Sequence, residues 1–259
     1  MNLLKVIVFV GCSVCLRAQT PIGKAWTILS DAAKNGNHDR KGQAVRALGL
    51  ISGNARAQSL AEAALLDKDE DVRTAAADSL GKMHATGSVG ALKAALKDPA
   101  SSVVFAAANA LLSLDDPTGY EVYYAVLTRE KKSGDSLIDS QVKMLKDPKA
   151  LSKIGFEEGI GFVPFGGVSY KVLKMATDDT ESQVRAAAIS KLTSDPDPRT
   201  SKALVNATKD PKWLIRAAAT NAIAKRGASS MLPAVTALLD DRNDIVRYNA
   251  AAAVIHLTK

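Results

Sequence analysis

The side chains of this 259-residue chain that could do chemistry are three histidines, two cysteines and a few clustered acids. His38, His84 and His256 stand far apart, and none sits with a carboxylate at the spacing metal ligands use, so no metal site is expected. Cys12 and Cys15 form a Cys-x-x-Cys pair, but they lie in an apolar N-terminal block that lacks the strand and helix a redox pair needs. Asp67-Lys68-Asp69-Glu70-Asp71 alternates acids as a calcium loop does, yet the sixth position is Val72, where the tight turn requires glycine. Glu157 and Glu158 would have to face one substrate to act as acid and base, and neighbours on a helix diverge by about 100°. Gly159-x-Gly161 lacks the third glycine of a dinucleotide loop, and no Lys-Ser/Thr follows it for a phosphate loop. These exclusions point away from an enzyme and from any cofactor.

The elements that carry these residues are helices. Hydrophobic residues make up 47% of the chain but aromatics only 5%, so its apolar content is mostly Ala, Leu, Val and Ile. Ala and Leu are strong helix formers. A frame of Asp, a β-branched residue five positions on, usually Arg next, then small residues and a closing Leu, Ile or Val recurs every 31 residues. It reads Asp67, Val72, Arg73, Leu80, then Asp98, Val103, Val104, Leu111. It returns as Asp179, Val184, Arg185, Leu192, as Asp210, Ile215, Arg216, Ile223, and as Asp241, Val246, Arg247, Val254. Apolar and small positions fall on one helical face, with no strand alternation. Each frame is the second helix of a pair whose first helix shows as Val89, Leu92, Ala95 and Leu96, or as Met231, Leu232, Val235 and Leu238. The Asp-Pro or Asp-Asp of the connection is expected to end one helix and cap the next. Helices this short are not stable alone and must bury their stripes against neighbouring pairs. A degenerate first hairpin, with Ile22, Ala25, Trp26 and Leu29 and then Val45, Leu48 and Leu50, precedes the clear units.

The Asp-x4-Val-Arg frame resembles the HEAT repeat, in particular the short bacterial type of phycobilisome lyase subunits. The resemblance implies an all-α, right-handed α-solenoid of about seven helical hairpins over 19–259, with a 31-residue period and a central insertion. It also implies that Asp67, Asp179, Asp210 and Asp241 pair with Arg73, Arg185, Arg216 and Arg247 between neighbouring hairpins, as a structural ladder and not an anion-binding row. Deoxyhypusine hydroxylase is a HEAT-repeat enzyme that relies on His-Glu pairs, and this chain has no His-Glu dipeptide.

The repeat breaks once. An insertion of about residues 115–146 and a Gly- and aromatic-rich segment at 155–167 interrupt it, and seven of the eleven aromatics beyond the first 20 residues fall between 120 and 170. Breaks in a repeat tend to form the binding face, and aromatics anchor interfaces. The expected partner-binding residues are therefore Tyr120, Tyr123, Tyr124, Phe162 and Phe165, with Arg129, Lys131 and Lys132 at the rim; the other reading makes these rings a local core. The phrases at 120–127 and 155–167 look like those of exported bacterial HEAT-repeat proteins, a resemblance that supports fold and export only.

Residues 1–18 read as a cleaved signal peptide. A single cation precedes an apolar run from Val6 to Leu16 that is too short to span a bilayer, and Ala18 offers the cleavage point. Export to the periplasm or medium follows, with a lipid anchor at Cys12 as a weaker alternative. The net charge of +7 contains no run of five basic residues, which argues against nucleic acid. The apolar 160–165 run leaves peripheral membrane contact open. The expected function is an exported protein-interaction or scaffold module. The alternatives are a lyase or hydrolase related to chromophore lyases, and nucleic-acid binding on a concave face.

Overall fold

The computed structural model describes residues 20–122 and 180–258, and among these every regular element is a helix. The first half holds α1 (Pro21–Asn35), α2 (His38–Leu48), α3 (Ala55–Ala64), α4 (Glu70–Lys82), α5 (Val89–Ala95) and α6 (Ser101–Ser113). The second holds α7 (Thr180–Lys191), α8 (Pro198–Ala207), α9 (Trp213–Arg226), α10 (Leu232–Thr236) and α11 (Asp244–Leu257). The even-numbered helices of the first half and the odd-numbered ones of the second are the second members of hairpins. A further helix begins at Thr118.

Local sequence sets the helix ends. Asn37, Asn54, Asp69 and Asn243 cap α2, α3, α4 and α11 by accepting free first-turn N–H groups. The recurrent Asp of the frame is not the cap, contrary to expectation. Asp67, Asp98, Asp210 and Asp241 each accept the N–H two residues on, at 2.8–3.0 Å, and so brace the turn that leads into the cap. Past their far ends α4, α6 and α9 leave through a left-handed residue at a fixed place, His84, Asp115 and Gly227, while after α2 Gly53 takes this conformation one position later in the frame; the φ values are 52–64°. Only glycine takes that conformation without steric cost.

Alanine and glycine act as packing residues. A Cβ on Gly81 of α4 would lie 2.9 Å from Ala110 Cα of α6, so those helices touch backbone to backbone. On its other side α4 is tied to α2 by the Ser79 hydroxyl, which donates to the Val45 carbonyl at 2.8 Å. The closing residues Leu80, Leu111, Ile223 and Val254 are fully buried, and one apolar cluster runs from Ala25 to Leu257. Leu192 departs from this pattern: it lies in a 3-10 turn after α7 and is 38% exposed.

The order of stacking differs from the order of the chain. The second helices pack in the row α7, α9, α11, α2, α4, α6, because α11 lies against both α1 and α2 of the first hairpin. Lys24 meets Asp240 at 2.5 Å and Arg40 meets Asp244 at 3.0 Å across this joint. Among the described helices the degenerate first hairpin is thus an inner link of the row, between α11 and α4. Helices α6 and α7, which flank residues 123–179, are the two outer members of the row among the described helices.

Candidate interaction surface

One edge of the stack carries the ladder. Arg73 of α4 donates from Nε and Nη2 to both oxygens of Asp98 in the next hairpin, at 2.7 and 2.9 Å. Its Nη1 holds the carbonyls of Asp67 and Lys68 in its own connection. Arg216 repeats the pattern on Asp241, at 2.6 and 2.8 Å, and on the carbonyls of Asp210 and Pro211. Arg185 reaches Asp210 at 2.5 Å, and Lys41 stands in for arginine on Asp67 at 2.8 Å. Arg73 and Arg216 therefore each clamp their own turn and the carboxylate of the next unit. Asp98, at the right phase but outside the expected ladder set, is one of its acceptors. Burial pushes the carboxyls of Asp67 and Asp241 up, but hydrogen bonds from Lys41 and Arg216 and from backbone N–H groups outweigh it and hold both below the ordinary value of 3.8. Asp179 lies outside the described residues.

The ladder changes at the joint between the first and last hairpins. Asn35 occupies the position where other units carry the acceptor Asp, and its amide donates to Asp31 instead. Arg247 has no forward carboxylate and pairs with Asp244 in its own helix, while its Nη1 holds the Asp241 carbonyl. Arg40 reaches back to that same Asp244.

A second row lies on the face lined by the second helices. These helices pack extensively on one another, while the first helices of successive hairpins touch little, so the row curves with the second helices inside. Eleven positions after the frame's Asp, or after Asn35 in the first hairpin, stand Ser190, Asn221, Arg46, Asp78 and Asn109. Ser190 is exposed and the other four are half-buried. On α11 the same position is Ala252, which is fully buried, beside the buried Tyr248. Repeat searching by apolar pattern passes over this polar row, although its regular spacing is legible in the sequence.

Of the residues expected to bind a partner, Tyr120 is 54% exposed at the start of the helix after α6. Tyr123, Tyr124, Arg129, Lys131, Lys132, Phe162 and Phe165 lie outside the described residues, as do the insertion beyond 122, the 155–167 segment and the leader. The acids at 67–71 are engaged in structure, Asp67 with Lys41 and Asp69 as the cap of α4.

The family model for HEAT repeats matches residues 27–113, 59–132 and 170–255. The chain belongs to the HEAT-repeat family. Its fold is the helical α-solenoid of that family, and HEAT repeats generally mediate protein–protein interaction or scaffolding. No curated protein matches the chain.

Proposed function

We propose that this HEAT-repeat protein is an exported scaffold that holds a protein partner on its solenoid surface. The observation that carries the reading is the inner face, which repeats a polar residue at constant phase in every described hairpin but that of α11, Asn221, Arg46, Asp78 and Asn109 among them, on an Ala-packed support. Repeated presentation on a stack suits an extended contact better than a reaction centre. Among the described residues no group of three His, Cys, Asp or Glu side chains could hold a metal ion. The exposed Tyr120 at the end of the row supports a second contact at the insertion, since a ring with a polar tip is a frequent interface anchor.

Export is part of the same proposal. Helix α1 starts at Pro21 with Thr20 as its cap, two residues after the proposed cleavage at Ala18, so removal of the leader leaves every described element whole. Among the described residues no helix is long and apolar enough to cross a membrane.

The test is capture of envelope proteins by the chain from Gln19 onward, beside Tyr120→Ala and Asn221→Ala variants with unchanged melting. A specific partner held by the wild type and released by either variant is the expected result. Equal recovery with all three chains would remove the assignment.

A further inference from the structure

The joint between the first and last hairpins breaks the ladder at a single residue. Arg73, Arg185 and Arg216 each reach the Asp that lies 25 residues further on, Asp98, Asp210 and Asp241. The same register carried across the joint from Arg247 arrives at Asn35, since Lys41 follows Asn35 at the interval by which Arg73 follows Asp67. Arg247 Nη1 already holds the carbonyl of its own turn, as Arg73 and Arg216 do, so the clamp is half made and lacks only its acid. Arg247 and Arg40 meanwhile share one carboxylate, Asp244. Asp31, to which Asn35 donates, lies with both arginines within charge range of Tyr248 on α11, which sets position 35 beside them.

Asn35 is followed by Gly36, the neighbour that most favours conversion of asparagine to an acid, because a residue without Cβ leaves its backbone nitrogen open to the side chain before it. The pair is placed for that reaction. Asn35 is exposed and is the last residue of α1, and at Gly36 the chain leaves the helix with φ −63° and ψ 158°. The bond from the Gly36 N–H to the Ala32 carbonyl, at 3.2 Å, belongs to the final turn, where helices fray.

We propose that Asn35 is a site of spontaneous deamidation, and that the aspartate it yields completes the ladder across the joint by pairing with Arg247. The Gly36 nitrogen attacks Cγ of Asn35, the bond from Cγ to Nδ2 breaks, and the amide leaves as ammonia with the proton that Gly36 gives up. Water then opens the cyclic imide. Opening at Cγ restores the main chain and gives aspartate, whereas opening at the main-chain carbonyl gives isoaspartate, the usual main product in an unfolded peptide. Here the first route is favoured, because a Cβ on Gly36 would already stand 2.5 Å from the Ala32 carbonyl and isoaspartate adds a carbon to the main chain at this point. The joint thus tightens as the molecule ages, whatever the solenoid binds.

The test incubates the purified protein, as recovered from producing cells, for weeks at physiological temperature and follows the tryptic peptide of residues 35–40 by mass spectrometry. Digestion in oxygen-18 water marks any acid formed during the digest itself. The peptide should change from amide to acid, with aspartate above isoaspartate, while melting drifts upward and an Asn35→Gln chain stays unchanged in both. Freshly made Asn35→Asp should melt a few degrees higher than the wild type, and the gain should vanish in an Arg247→Ala background. Asn35 that stays an amide while a free peptide of residues 31–40 converts would overturn the proposal. So would isoaspartate as the main product, an Asn35→Asp chain that melts no higher, or a gain that survives Arg247→Ala.

Discussion

Replacing Arg216 with alanine tests the ladder most sharply, because the two ends of this pair are the most enclosed ions of the stack. The side chains of Arg216 and Asp241 are 8% and 7% exposed. The substitution removes two hydrogen bonds to the carboxylate and two to the carbonyls of Asp210 and Pro211. It leaves Asp241 enclosed with the Asn243 N–H as its remaining hydrogen bond. Breaking a buried pair by deleting one partner costs about 3–5 kcal/mol. At roughly 2–4 °C per kcal/mol for a domain of this size, melting should fall by roughly 10 °C or somewhat more. The control is Arg185→Ala: that arginine meets Asp210 at the corresponding rung through one hydrogen bond and is 45% exposed, so solvent already screens the pair, and the cost should stay below about 1 kcal/mol. The double change Arg216→Met with Asp241→Leu should recover much of the loss, since a packed apolar pair replaces the ions. Differential scanning calorimetry on the four chains measures all of this. A shift for Arg216→Ala no larger than that for Arg185→Ala would refute the reasoning, because burial would then not decide what a rung contributes.

Three further outcomes follow from the packing and the charges. Gly81→Ala should destabilise by about 1–3 kcal/mol despite alanine's better helix propensity, because the new methyl meets Ala110 backbone; a more stable variant would mean that α4 and α6 part easily. His84→Gly and Asp115→Gly should each stabilise by about 1 kcal/mol by relieving a left-handed backbone, and urea titration would show whether they do. The lowered carboxyls of Asp67, Asp210 and Asp241 contribute stability that is present above their ordinary value of 3.8 and lost as pH falls through their folded values. Melting should therefore hold near neutrality and drop below about pH 4, less steeply in Asp241→Asn; a melting temperature that rises on acidification would contradict the assigned pairing.

Much of the fold was legible because a repeat states its own period. Val72, Val103, Ile215 and Val246 are fully buried at their shared phase, since each must face the neighbouring hairpin. The spatial order was not legible. A frame of Asp and Arg gives the local rule that a unit packs on the next, but nothing in it says that α11 also packs on α1 and α2, some 200 residues away. One available signal was Asn35 in place of Asp, a missing rung at the joint between the first and last described hairpins. The inner row escaped for a different reason: Asn221, Arg46 and Asp78 share a position but no residue type, and a pattern built on hydrophobicity ignores them. The tyrosine-rich insertion was visible as a break in period, but period alone does not tell an interface from a local core.

The central claim, that a protein partner lies on the inner face of the stack, can be tested by site-specific photocrosslinking in cells that produce the protein. A benzophenone amino acid would replace Asn221, Tyr120 or, as an outer-face control, Lys202. The account predicts one adduct of defined mass from position 221, the same partner from position 120, and none from 202. Adducts confined to position 202, or none from any position in cells that contain the folded chain, would contradict it.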